Sequence, residues 1–256
     1  MDDRRNKRQL AGKSFEAFEL SWDTEYFGIP SARVILKGEI DEREWEKLSQ
    51  FLISFDFVTI SNIKNNSNNN KFLGIKTSSF LTDMNVQFKK QVIDRPIDKE
   101  TVVVSDYSYD DDMIAICEKA FKYSRFFNDP WLLENKSRDI YVHWAQSAFN
   151  KTDKYFVISK RQGRIAGFLL FSINSEIKTS VIELIAVDDT YRGQNVGKSL
   201  IAAMESDVKS KGIESVSVGT QMDNLIAINF YTSCGFGYAG CNSIYHYWPN
   251  KDFKIG

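Results

Sequence analysis

Val181-Ile-Glu-Leu-Ile-Ala-Val-Asp-Asp-Thr-Tyr-Arg-Gly-Gln-Asn-Val-Gly-Lys-Ser-Leu-Ile201 is the stretch that decides the fold. It reads as a mostly apolar strand, a turn over Asp188–Tyr191, and an amphipathic helix entered through Arg192–Lys198. Glycines at 193 and 197 let the backbone come close to a ligand, and the first N–H groups of a helix have no partner within it. With the helix dipole added, this junction suits a pyrophosphate. Two common phosphate loops do not fit it. Gly197-Lys198-Ser199 ends like a P-loop, but that loop has four residues between its glycines and here there are three. Only 57 residues follow Ser199, too few for the βα units a P-loop fold would still need. The dinucleotide pattern Gly-x-Gly-x-x-Gly is absent.

Arg192, Asn195 and Gly197 instead meet the pattern Arg/Gln-x-x-Gly-x-Gly/Ala, with asparagine where the first glycine is usual. Asparagine is the non-glycine residue that best tolerates left-handed backbone angles, so the turn is expected to survive the change. After a strand at Ile213–Val218 comes Asn224-Leu-Ile-Ala-Ile-Asn-Phe-Tyr-Thr-Ser-Cys-Gly-Phe236, which matches Asn-x-x-Ala-x-x-Phe-Tyr-x-x-x-Gly-Phe. In this order and spacing the two motifs resemble motifs A and B of the GCN5-related N-acetyltransferase (GNAT) superfamily.

The resemblance implies an α/β fold: a mixed, mostly antiparallel central sheet flanked by helices, with an extra α/β domain at the N-terminus. Acetyl-CoA or another short-chain acyl-CoA would be the co-substrate. The strand at Leu184, Ile185, Ala186 and Val187 would pair with pantetheine and be bulged and splayed from its neighbour, with an oxyanion-binding N–H around Ile185–Val187. Arg192, Gly193, Gln194, Asn195, Val196, Gly197, Lys198 and Ser199 would hold the pyrophosphate, and Asn224 and Asn229 complete the cofactor set. Tyr231 occupies the place of the tyrosine that protonates coenzyme A sulfur, with the alternative that it only packs or orients the thioester. Glu183 and His143 are the candidates for a base, although a lone histidine near a helix is more often structural. His246 has no stronger claim, and Cys234 has no adjacent base to make it a nucleophile.

The composition bounds the rest. At 256 residues the chain fits one large domain or two small ones. A hydrophobic content of 43% supports a buried core, and a net charge of -1 carries no sign of nucleic-acid binding. Cys117, Cys234 and Cys241 have no metal-ligand spacing, so no metal is expected, and they fit a reducing cytoplasm. No apolar run reaches the length of a membrane span and the charged start is no signal peptide, so a cytoplasmic protein without membrane insertion is expected.

The expected organisation is a disordered leader at 1–14, an N-terminal α/β domain at 15–100 and the catalytic domain at 101–256. In the first domain strand-like segments are expected around Ser21–Pro30, and helices at Asp41–Leu52 and Lys71–Ser78. Strands are expected at Phe57–Ile60 and Phe80–Lys89, and a solvated polar loop at Asn65–Asn70. In the second, helices at Asp110–Phe126 and Lys136–Phe149 precede a hairpin turning at Gln162-Gly163. Strands near Tyr238 and at Ile244–Tyr247 close the chain, and no internal repeat is visible.

Leu20-Ser-Trp-Asp-Thr-Glu-Tyr-Phe-Gly28 resembles the Trp-Asp-Ser-Glu-Phe-Phe-Gly element of the TDP-fucosamine acetyltransferase family, as do Leu81–Phe88, Ser124–Pro130 and Tyr141–Trp144. That resemblance implies a nucleotide-linked amino-deoxy sugar as acceptor, in surface polysaccharide biosynthesis, and leaves room for a homodimer. Trp22, Tyr26, Phe27 and Phe126 would stack on the base and Arg125 would pair with a phosphate, with core packing and a helix-end ion pair as the structural alternatives. A protein or peptide N-acetyltransferase and a non-catalytic coenzyme A-binding protein are the other readings.

Overall fold

The structure, a computed structural model, describes residues 8–93, 96, 99–105 and 107–251. Its elements run β1 (Gln9–Ala11), β2 (Phe15–Glu19), α1 (Ser21–Phe27), β3 (Ser31–Leu36), α2 (Glu42–Leu52), β4 (Phe57–Asn62), α3 (Ser67–Lys76) and β5 (Phe80–Gln91). They continue with β6 (Thr101–Ser105), α4 (Asp111–Ala120), α5 (Glu134–Ala148), β7 (Tyr155–Arg161), β8 (Arg164–Asn174) and β9 (Thr179–Val187). α6 (Val196–Ser210), β10 (Ser215–Gln221), α7 (Leu225–Ser233) and β11 (Gly237–Tyr247) complete the chain.

Two compact units result, and they are not contiguous halves. The first takes the described residues up to Val86, then Ser124–Ser137 and the stretch from Gly240; the second takes Gln87–Tyr123 and Arg138–Ala239. The expected boundary near residue 100 is therefore replaced by an interleaved one, because β5 and β11 each contribute residues to both units. Of the expected leader, residues 1–7 lie outside the described residues, and Gln9–Ala11 is ordered as β1, paired antiparallel with Ala11 opposite Glu16.

The first unit carries the strand order β1-β2-β3-β4-β11. β1, β2 and β3 are antiparallel neighbours, and β4 joins β3 in parallel after the α2 crossover. Its core gathers Phe15, Val34, Leu36, Leu48, Leu52, Phe55 and Ile60. The apolar stripe of α2 explains its place, and its start is capped by Asp41, which accepts the Glu44 N–H. Two expectations fail here. Ser21–Phe27 is a short helix closed by left-handed Gly28 (φ 74°), where strand was expected. The asparagine run is no solvated loop: Asn66 caps α3 and Asn69, 1% exposed, binds Gly38 O, Asn62 Oδ1 and the Ile40 N–H. Short polar side chains that satisfy backbone groups at a helix start were read as loop chemistry.

The second unit carries β5-β10-β9-β8-β7-β6. Gln162 and Gly163 (φ 53° and 77°) make the expected tight turn between β7 and β8. α4 ends at Ala120, earlier than expected, and β11 is one strand where two were expected. Its core is built from Met113, Ile116, Phe156, Phe168, Leu170 and Leu184 among others. The topology also contains the repeat that the residues conceal. β1-β2-β3-α2-β4-α3-β5 and β7-β8-β9-α6-β10-α7-β11 follow one plan, two antiparallel pairings then a parallel βαβ step, with α1 as an insertion in the first.

Candidate active site

The second unit's βαβ step from β9 through α6 to β10 makes the first candidate site. In the β8–β9 ladder Leu170 faces Leu184 and Phe171 faces Ile182, so Glu183 is an extra residue and β9 bulges there. On the other edge, β9 pairs with β10 from Thr179 to Ile182 only. From Glu183 to Val187 the strand therefore presents peptide groups beyond its last β10 partner, and a bound chain can pair with them. The bulge lies two residues before the Ile185–Val187 position expected for it, since the register, not the motif, sets where the ladder slips.

Past Val187 the chain turns through Asp188, whose carboxylate accepts from Thr190 N and Oγ1. Gly193 (φ 76°) and Asn195 (φ 61°, ψ 10°) are both left-handed, as the asparagine substitution required. Asn195 is the N-cap of α6 and makes no capping bond with its side chain, so the first-turn amides of Val196, Gly197 and Lys198 are left for an anion. α6 itself is anchored by Val196, Leu200, Ile201 and Met204, all 2% exposed or less. Gly193 has open space where a Cβ would go, whereas a Cβ on Gly197 would lie 2.9 Å from the Phe230 ring of α7. Arg192 is at the surface and pairs with Asp189 at 2.6 Å. Gln194 and Lys198 are exposed; Ser199 is half-buried.

α7 begins at Asn224, whose side chain accepts the Ala227 N–H and is thus engaged as a cap. Asn229 is exposed. Tyr231 is 4% exposed, between Phe88 (6.1 Å), Phe230 (5.4 Å) and Phe236 (5.6 Å). Burial, then the neighbouring Cys234, raises its phenol above the usual value, so it holds its proton at neutral pH. Of the two candidate bases, Glu183 is bound to Lys154 Nζ at 2.5 Å, and His143 is on the exposed face of α5.

One feature of this unit is absent from the sequence expectations. Lys90 of β5 and Glu205 of α6, 4% and 0% exposed, pair at 2.8 Å, and Lys90 also donates to the Cys234 carbonyl at 3.0 Å. The pair joins β5, α6 and the end of α7, the helix that carries Tyr231. Its signal was available: Lys90 falls in the same inward phase as Val86 and Phe88, and Glu205 falls on the apolar face of α6.

The acceptor candidates lie in the first unit. Trp22 and Tyr26 are half-buried and stack on each other at 5.1 Å, and the Tyr26 hydroxyl donates to the Lys136 carbonyl. Phe27 and Phe126 are 6% and 5% exposed and pack together at 5.4 Å with Phe57 nearby. Both are core rings, which favours the packing alternative over a stacking role. Arg125 lies 4.1 Å over the Phe126 ring. His246, set aside from the sequence, is fully buried with Nδ1 2.6 Å from Asp129, which also accepts from Trp248 Nε1 at 3.1 Å. Burial lowers the imidazole to about 4, against the opposing pull of Asp129, so the ring is neutral. A separate groove runs beside Phe27, Trp131, Lys136, Trp248 and Lys251. No helix among the described residues is long and apolar enough to cross a membrane, and no cluster there could hold a metal ion.

The model of the acetyltransferase (GNAT) family matches residues 119–236, which include the bulge, the α6 turn and Tyr231. The spore coat polysaccharide biosynthesis protein SpsD of Bacillus subtilis is 30% identical over 147 residues, 56% of this chain and 50% of SpsD. The ribosomal protein bS18-alanine N-acetyltransferase of Escherichia coli is 25% identical over 112 residues, 43% of this chain and 73% of that protein. This chain spans about half the length of SpsD. In fold, the GCN5-related N-acetyltransferase of Kribbella flavida superposes over 94% of this chain and 90% of its own, with a TM-score of 0.62 at 11% identity. The coverage takes in both units. The segment that holds its bulged strand, its left-handed turn and its buried tyrosine is thus the part of this chain that matches the acetyltransferase (GNAT) family.

Proposed function

We propose that this protein is an acyl-CoA-dependent N-acyltransferase, using acetyl-CoA or another short acyl donor, that acts on the amine of a nucleotide-linked amino-deoxy sugar. The observation that carries the catalytic part is the edge of β9 from Glu183 to Val187, released from β10 and leading straight into an uncapped α6. Pantetheine amides pair with that edge and the pyrophosphate accepts from the Gly193, Val196 and Gly197 amides, with Lys198 and Arg192 adding charge. The sugar amine attacks the thioester carbonyl directly. A β9 amide stabilises the oxyanion; as the tetrahedral adduct collapses, the C–S bond breaks and Tyr231 gives its proton to the departing thiolate. Burial raises the phenol, so Tyr231 still carries that proton at neutral pH. The proton lost by the amine leaves through water, since Glu183 is held by Lys154.

The sugar part rests on the N-terminal elements and on SpsD, whose name places it in spore coat polysaccharide biosynthesis. The bS18-alanine acetyltransferase supports a second reading, in which a protein N-terminus is the acceptor. Release of free thiol from several acyl-CoA donors, assayed against TDP- and UDP-amino sugars and against basic and alanine-terminated peptides, separates the two. Turnover of an amino sugar is expected; turnover of peptides alone would transfer the case to the second reading.

A further inference from the structure

A row of unsatisfied polar atoms crosses the first unit. Arg33 of β3 is the register partner of Thr59 of β4, and Thr59 is the register partner of His246 of β11. Register partners share a face of a sheet, so the three side chains stand side by side. Arg125 borders the same face: Phe126, beside it in the chain, packs 5.8 Å from the His246 ring, and the charge of Arg125 acts on both Arg33 and His246. In each of the four a buried polar atom has no hydrogen-bond partner: Arg33 Nε, Thr59 Oγ1, Arg125 Nε and His246 Nε2. Thr59 and His246 are 2% and 0% exposed, and Arg33 and Arg125 are half-buried.

This is an arrangement that costs the free protein stability. An unpaired buried donor or acceptor costs about 1–3 kcal/mol, and two guanidinium groups repel each other. Arg33 has Ser61 Oγ at 3.2 Å and feels the opposing charge of Asp23, and its guanidinium is nevertheless lowered to about 10 by burial and by Arg125. A bound ligand that supplied their partners would relieve that cost. The atoms also specify the ligand. Two Nε–H groups on guanidinium cations need acceptors, and an oxyanion is the strongest such acceptor. His246, neutral and donating from Nδ1 to Asp129 Oδ2, keeps a lone pair on Nε2 that needs a donor. The Thr59 hydroxyl serves either role.

We infer that Arg33, Arg125, Thr59 and His246 form a binding site for an oxyanion carried beside a hydroxyl group, as in the diphosphate–sugar part of a nucleotide sugar. The two arginines take the anion and His246 accepts from the hydroxyl, oriented by Asp129 as a positioning residue. The identity of the ligand rests on the amino-sugar reading; the anion site does not.

The test is equilibrium binding to the full chain by calorimetry at fixed ionic strength. Pyrophosphate, TDP, UDP, glucose 1-phosphate and glucuronate are the probes, with coenzyme A as a control for the second unit. Arg33→Met and Arg125→Met should each weaken the phosphate ligands about tenfold or more, the loss expected of a charge-assisted hydrogen bond, and leave coenzyme A binding unchanged. Arg125→Lys, which keeps charge and bulk, should lose an intermediate amount and covers the case in which a methionine variant does not fold. Arginine-dependent binding of pyrophosphate and glucose 1-phosphate without TDP or UDP would keep the site and sink the nucleotide reading. TDP bound equally well by both methionine variants would keep the nucleotide reading and overturn the site. Binding of none of the probes to the wild type means that water alone fills the row, and also overturns it.

Discussion

Tyr231 combines two properties that a proton donor needs: it is buried beside Phe88, Phe230 and Phe236, and it stays protonated at neutral pH. Tyr231→Phe keeps the ring and removes only the proton, so kcat should fall by about 10²–10⁴ while donor affinity holds. Unchanged kcat across the pH range would reduce Tyr231 to packing. The two turn glycines differ in a way that only coordinates reveal. Gly193 is left-handed with space around it, so Gly193→Ala costs about 1 kcal/mol of backbone strain and should mainly weaken coenzyme A binding. Gly197 lies against Phe230, so Gly197→Val should lower the melting temperature as well as the affinity. Equal melting temperatures for both variants and wild type would contradict the Gly197–Phe230 contact. The left-handed turn was legible because it is local: Asn195 tolerates the angle that the motif requires. The row of Arg33, Thr59, Arg125 and His246 was not, since four distant parts of the chain bring it together and no spacing encodes that.

Elements were legible where periodicity was strong and uninterrupted. α2, α6 and the β7–β8 hairpin stand close to where their apolar patterns and turn residues place them. α1 was misread because seven aromatic-rich residues satisfy strand and helix alike, and only the left-handed Gly28 decides between them. α3 was misread because its first turn is asparagine, a residue type equally at home in caps and loops. The β9 bulge was anticipated from the family and found at Glu183, where the β8 register fixes it. Between elements, the Lys90–Glu205 ion pair is buried and ties β5 to α6 in the second unit. Lys90→Met removes the buried cation from beside Glu205, and should cost about 3–5 kcal/mol in denaturant unfolding. Adding Glu205→Leu should return much of that loss. A single variant as stable as wild type would show that the pair does not hold β5, α6 and α7 together.

At the scale of the whole molecule, the chain carries one topological plan twice, with chemistry divided between the copies. The second unit has the bulged strand, the uncapped helix and the tyrosine. In the first unit, the parallel β3–β4 pairing extends from Ser31–Phe57 to Leu36–Asn62 without a register shift, and Arg33 and Thr59 stand in that ladder. A strand edge closed in this way offers no slot for pantetheine, and our proposal gives the first unit the acceptor instead. The amino-acid sequence concealed this duplication because a repeated topology can be filled by unrelated apolar residues. A crystal structure of the full chain with coenzyme A and TDP is the decisive measurement. Pyrophosphate oxygens of coenzyme A are expected within hydrogen-bond reach of the Gly193, Val196 or Gly197 amides, with pantetheine along Glu183–Val187 and sulfur facing Tyr231 Oη. TDP should be found in the first unit. Coenzyme A bound away from the α6 turn, with Tyr231 remote from its sulfur, would contradict the proposed mechanism.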